Sequence, residues 1–356
     1  MSLRVLFYCP DQHIEYDGRT PDERGVGGGI TARVRMSRAL ARAGHDVVHV
    51  GNCPRRQIFD GVEYVPLEAF AGASPDVLIL QSSGGALDLS PATKLDLRPR
   101  HTILWVQGTD RPGGVEGLPI DVIVAPSRFV KDIVTAEWAM PASQVVVSYN
   151  GYEASLFDPV RPIERDPYRL IYCSHPSKGL QPAYEVLNLL RQEDARYNLQ
   201  VLGGVGLWGG KNESPTDLPA GVEYHGLVGQ QELSDALRIS AFCMQLQNRL
   251  EPGALVVAEA KRAGCLLVTS AVGVFPEQVT DEVNGLLVDG DAFDPSTWGR
   301  AAARILACQR DPILLERMRQ RAQVEPASWD EIAADWIEDW QRRLGYGQRL
   351  RTASWR

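Results

Sequence analysis

Short apolar runs alternate with helical spacing along almost the whole chain. In the first half the runs are Arg4 to Cys9, Asp46 to Val50, Val77 to Leu80, Thr102 to Val106, Val122 to Ala125 and Val145 to Ser148. Each reads as a strand, and strands alternating with helices are the signature of a parallel sheet wrapped on both faces. From 150 to 168 the rhythm breaks, and Pro159, Pro162 and Pro167 among charges suit an interdomain linker. A second series then follows, with strands expected at Arg169 to Cys173, Leu199 to Leu202, Val222 to His225, Ala241 to Leu246, Leu266 to Thr269 and Gly285 to Val288. The pattern predicts two doubly wound α/β domains, at 1–160 and 161–327. A final helix is marked by the capping box Ser328 and Glu331, with Trp329, Ile332, Ala333, Trp336, Ile337 and Trp340 at helical spacing. That stripe needs an apolar surface to cover, and the helix, 328–356, is expected to return to the first domain.

Bulk properties narrow the picture. A chain of 356 residues exceeds the size at which one hydrophobic core stops growing. No apolar run is long enough to span a bilayer, and the run ending at Pro10 is too short for the core of a signal peptide, so a cytoplasmic protein is expected. The six cysteines are scattered without a C-x-x-C pair, which predicts reduced, buried thiols. A net charge of −8 argues against a nucleic-acid partner. The segment 342–356 runs against this trend, with five arginines and no acid. It reads either as a solvated end or as peripheral contact with anionic lipid on the inner face of a membrane.

The strongest chemical signal is the stretch Glu251-Pro252-Gly253-Ala254-Leu255-Val256-Val257-Ala258-Glu259 at an apparent loop-to-helix junction. Pro252 suits a first helical position and Gly253 admits close approach to the backbone, so the opening amides form a seat for a pyrophosphate. Glu259 shares the apolar stripe of Leu255 and Val256 and needs a partner there. A ribose diol would serve, and so would pairing with Arg262. Gly28 and Gly29, in a glycine-rich loop before a helix over Ile30 to Ala43, can cradle phosphate or sugar, or act as a plain connector. Lys178, in Ser174-His175-Pro176-Ser177-Lys178-Gly179 after the first strand of the second half, is either a point charge for phosphate or an ordinary surface lysine. No Asp-x-Asp motif or His pair has metal-ligand spacing, so no metal or other cofactor is expected.

Taken in order, these pieces resemble the retaining family 4 (group 1) glycosyltransferases of GT-B fold. The resemblance rests on the glycine loop, Ala125-Pro126-Ser127-Arg128-Phe129, Tyr149-Asn150-Gly151, Lys178-Gly179, Val222 to Leu227, the paired glutamates running into Ala263-Gly264, Gly273 to Glu277, and Asn284 to Val288. It implies two Rossmann-like domains facing across a cleft. It further implies transfer, with retention, from a nucleotide diphosphate sugar to an acceptor hydroxyl on a glycan, lipid-linked or small-molecule acceptor. In that likeness Glu251 and Lys178 are catalytic. Gly28, Gly29, Lys178, Leu227, Glu251, Pro252 to Val256 (with Gly253, Ala254 and Leu255) and Glu259 hold the donor, and Gln107, Arg128 and Asn150 face the acceptor. Two departures stand out. Tyr172-Cys173-Ser174-His175 lacks the family's usual arginine before the lysine, and Gln107 stands where a histidine is common. A catalytically silent nucleotide-sugar binder, an epimerase and a phosphorylase are the alternatives. Base, sugar and acceptor identity stay open.

Overall fold

The computed structural model describes residues 1–82, 87–158, 164–211 and 215–346. They form two compact units: Met1–Thr20, Gly28–Gly151 and Ala327 onward in the first, Pro21–Gly27 and Tyr152–Pro326 in the second.

In the main sheet of the first unit the strands are β1 (Arg4–Tyr8), β2 (Asp46–Gly51), β3 (Gln57–Phe59), β4 (Val62–Pro66), β5 (Val77–Gln81), β6 (His101–Trp105), β7 (Val122–Ala125) and β8 (Val145–Val147). Their order across the sheet is β8-β7-β6-β5-β1-β2-β4-β3. All pairs are parallel except β3 with β4. The apolar runs predict six of these strands and miss the β3–β4 hairpin. Its turn is Asp60-Gly61, both at positive φ (49° and 77°), the conformation a two-residue hairpin loop needs. Helix α1 (Gly28–Arg42) follows β1, and α2 (Arg128–Ala136) follows β7.

The second unit holds β9 (Asp166–Tyr172), β10 (Asn198–Leu202), β11 (Val222–Gly226), β12 (Ser240–Gln245), β13 (Leu266–Ser270) and β14 (Gly285–Val288), ordered β11-β10-β9-β12-β13-β14 and parallel throughout. Its longer helices are α3 (Leu180–Glu193), α4 (Gln230–Ile239), α5 (Leu255–Ala263), α6 (Pro295–Arg310) and α7 (Pro312–Gln323). One face of the sheet buries Tyr172, Leu199, Phe242 and Val268 against α3 and α6, and the other buries Ile171, Cys243 and Leu267 against α5.

The stretch expected as a linker is more structured than its composition suggests. Tyr152 and Phe157 are buried in the second core, on either side of a helical turn at Ala154–Phe157, and β9 already begins at Asp166. Two aromatic anchors thus override the proline signal, and the change of unit falls between Gly151 and Tyr152. Pro159 and Pro162 lie outside the described residues.

Helix α8 (Trp329–Arg343) starts at the expected capping box: Glu331 N donates to Ser328 Oγ (3.2 Å) and Ser328 N to Glu331 Oε2 (2.8 Å). It belongs to the first unit, where Trp329 and Trp336 meet the Trp105 ring edge-on, with centroids 6.3 and 5.2 Å apart. Trp336 Nε1 donates to Ser148 Oγ at 2.9 Å, so the indole's polar edge is satisfied inside the core. Arg342 and Arg343 pair with Asp339, while Arg349, Arg351 and Arg356 lie outside the described residues. No helix among the described residues is long and apolar enough to cross a membrane. The six thiols are free; five are buried and Cys173 is half-buried.

The first sheet encloses an ionisable group. His49 is stacked against Phe7 and Tyr64, and its ring nitrogens meet Tyr16 OH (2.8 Å) and Ser37 Oγ (3.0 Å). Burial, reinforced by Arg33, pushes its pKa down to about 3. The folded state therefore keeps His49 neutral where the unfolded chain, with an ordinary pKa near 6.5, takes up a proton. Stability from this group is complete above that value and is lost as pH falls from about 6.5 toward 3. Urea unfolding at successive pH values should show this loss in the native chain. In a His49→Gln variant the loss should be smaller by a few kcal/mol, to order of magnitude.

Candidate functional site

The chain runs from β9 outward through β10 to β11, then returns to the other side of β9 as β12. The loops leaving β9 and β12 therefore diverge from adjacent strand ends, the place where open α/β sheets leave a crevice. The first loop carries a helical turn at Pro176–Lys178, capped by His175 Nδ1, which accepts from Ser177 N at 3.2 Å. The second carries Glu251 and leads into α5.

Two glycines hold these loops together. Gly179 has φ +109°, and a methyl group there would run into the Leu246 carbonyl oxygen of the neighbouring loop. Gly273 (φ +56°) lies against the backbone of Glu251, whose carbonyl accepts from Val274 N at 2.9 Å. With both approaches in place, Lys178 Nζ donates to Glu251 Oε2 at 2.7 Å. The Glu251 side chain is 8% exposed and that of Lys178 18%. The glutamate is thus a desolvated carboxylate held by one partly wet ammonium.

Helix α5 opens at Leu255, with Ala254 as its N-cap, and not at Pro252. The Glu251 carbonyl is committed to Val274, so it does not start the helical ladder, and Pro252 and Gly253 precede the first turn as a bend. Alanine has no side-chain acceptor, so the cap leaves the first amides of α5 without the usual side-chain oxygen. Glu259, one turn further on, is buried. Its expected alternative partner Arg262 turns instead to Asp158 (2.9 Å) and the Gln323 carbonyl (3.0 Å).

Beside the Lys178–Glu251 pair stands Trp208, at the end of a short turn after β10. His175 stacks on its ring at 3.8 Å with the planes 11° apart, and Lys178 Nζ and the Arg249 guanidinium lie 5.6 and 4.9 Å from its centroid. Burial, then Lys178 and Arg249, push the His175 pKa down, which keeps the ring neutral at neutral pH. Sequence reasoning does not find Trp208 or Arg249, because their contact joins loops far apart in the chain.

The remaining candidates fall elsewhere. Leu227 follows β11, two strands from β9, and packs on Gly25. In the first unit the strand order reverses between β1 and β5, and Gly28 and Gly29 open α1 there. The Gly29 carbonyl accepts from Arg33 Nε (3.2 Å) and Gln81 Nε2 (3.4 Å), two residues not anticipated from the pattern. Gln107, after β6, donates through its backbone to Ser82 Oγ, and its side chain meets Asn150 at 3.4 Å. Arg128 is the first residue of α2, whose N-cap Ser127 accepts from Val130 N at 3.1 Å. Among the described residues no three His, Cys, Asp or Glu side chains gather as a metal site.

With this arrangement in view, residues 164–325 match the family model of glycosyl transferases group 1. By that match the segment is similar to the group 1 glycosyltransferases. A D-inositol 3-phosphate glycosyltransferase of Streptomyces griseus is 36% identical over 115 residues, a match covering 32% of this chain and 23% of that protein. The chain thus spans less than a quarter of that relative's length. AviGT4, a glycosyltransferase involved in avilamycin A biosynthesis, superposes with a TM-score of 0.66 at 18% identity, over 97% of this chain and 99% of that one. HepE of Anabaena, solved in complex with UDP, superposes at 0.63 with 13% identity, over 96% of this chain and 100% of that one. At these identities the likeness concerns the fold, and the pair of parallel Rossmann-like sheets is that of the GT-B structures. The Lys178–Glu251 pair, α5 and Glu259 all lie inside the matched segment.

Proposed function

We propose that the chain is a retaining glycosyltransferase that uses a nucleotide diphosphate sugar as donor and needs no metal. The observation that carries the reading is the convergence, at the reversal point of the second sheet, of the uncapped start of α5 with Lys178, Glu251 and, one turn along, the buried Glu259. A helix N-terminus favours linked phosphates through its free amides and its dipole. In this reading the amides of Leu255 and Val256 receive the diphosphate, with Gly253 and Ala254 keeping the approach open. Glu259 accepts from the two ribose hydroxyls, and Glu251 accepts from hydroxyls of the donor sugar.

Charge that grows on the leaving diphosphate is stabilised by those amides and by Lys178. The acceptor hydroxyl attacks the face that the leaving group departs from, and a leaving phosphate oxygen takes its proton. No enzymic nucleophile is required. Gln107, Asn150 and Arg128 are assigned to the acceptor, and Gly28 and Gly29 to the donor. UDP is the first nucleotide to try, since a structure of the same fold was solved with it.

Glu259→Ala tests the ribose seat. Loss of hydrogen bonds to a charged acceptor costs about 1.5 to 3 kcal/mol, so calorimetry should show donor affinity falling roughly tenfold to a hundredfold. Unchanged affinity would remove Glu259 from the donor site.

A further inference from the structure

Local charge at the reversal point of the second sheet does not suffice for a diphosphate when only the groups named so far are counted. Lys178 is positive, but its ammonium lies 2.7 Å from the Glu251 carboxylate, and the two cancel. What remains is the start of α5, equivalent to about half a positive charge. Each phosphate of the ligand brings negative charge, and more develops as the diphosphate leaves.

Arg249 is a nearby cation that no carboxylate among the described residues offsets. It lies two residues before Glu251 in the same loop, and among the described residues it makes no ion pair or hydrogen bond. Its guanidinium is held 4.9 Å from the centroid of Trp208, the ring that also lies 5.6 Å from Lys178 Nζ. Two cations therefore share one aromatic ring, and His175 stacked on that ring is disfavoured from becoming a third. An arginine resting on an aromatic ring keeps its planar fork of donors ordered and able to grip phosphate oxygens.

We infer that Arg249 is a phosphate-binding residue of this site, positioned by Trp208. The inference rests on the proposed donor site, and it places the second cation on the α5 side of the crevice, in a different loop from Lys178. Before the ligand arrives, Lys178 is occupied by Glu251, so Arg249 supplies the uncompensated charge that draws the diphosphate in.

The test is calorimetric titration of the whole chain with UDP, GDP and ADP, and with uridine, guanosine and adenosine, across a salt series. Arg249→Ala should weaken the best diphosphate roughly tenfold to a hundredfold while leaving its nucleoside unchanged. It should also flatten the dependence of affinity on salt, because one fewer charge pair forms. Arg249→Lys should recover part of the affinity. Trp208→Ala should weaken the diphosphate less than Arg249→Ala and leave the salt dependence intact, as expected when the charge remains but is less ordered. An Arg249→Ala variant that binds the diphosphate within twofold of the native chain, with the same salt dependence, overturns the role of Arg249 and leaves the donor site standing. A native chain that binds none of the three diphosphates overturns the donor site, and this inference with it.

Discussion

Lys178→Ala is expected to lower kcat/KM for sugar transfer by about two to three orders of magnitude, the loss typical when a preorganised group facing developing charge is removed. The same change strips Glu251 of its partner at 2.7 Å, in a place where the carboxylate side chain is only 8% exposed. Removing one member of a buried pair costs roughly 3 to 5 kcal/mol, and the partly wet ammonium of Lys178 puts this case near the lower end. Two consequences of one substitution must be separated. A double variant, Lys178→Met with Glu251→Gln, leaves no unpaired charge and should regain most of the stability in urea unfolding. It should not regain transfer. Recovery of transfer in the double variant would mean that the pair serves folding alone.

The second large effect is structural. Trp336→Ala removes an indole that is buried, packed edge-on against Trp105 and hydrogen-bonded to Ser148. Truncating a core tryptophan costs about 3 to 5 kcal/mol, a sizeable part of the stability of an ordinary domain. Because α8 lays three tryptophans on the first unit, its loss uncovers a broad apolar strip. Urea unfolding should show an earlier transition. Asp330→Ala, on the exposed side of the same helix, removes the surface pair with Arg42 and one acidic charge from the first turn, and serves as the control. That change should stay within about 1 kcal/mol of the native chain.

Much of the fold is legible in the residues. Continuous apolar runs mark the buried parallel strands, since such strands have no solvent face and need no alternation. The hairpin β3–β4 escapes that test because it lies at the sheet edge: Ile58 is exposed, and the runs are short. Its sign is the Asp60-Gly61 turn. Candidate site residues are legible where one segment carries several of them, as from Glu251 to Glu259. The start of α5 is not, because Pro252 fits a first helical position by local preference, whereas a backbone bond to Val274 decides the matter. Trp208, Arg249, Arg33 and Gln81 leave no local trace. Each acquires its place from a strand end or loop distant in sequence, and topology alone brings them in.

The most direct measurement is a crystal structure of the chain soaked with UDP, or with whichever diphosphate titration shows to bind best. The expected result is phosphate oxygens about 3 Å from the backbone nitrogens of Leu255 and Val256, with the ribose hydroxyls on Glu259. A diphosphate bound away from the first turn of α5 would contradict it.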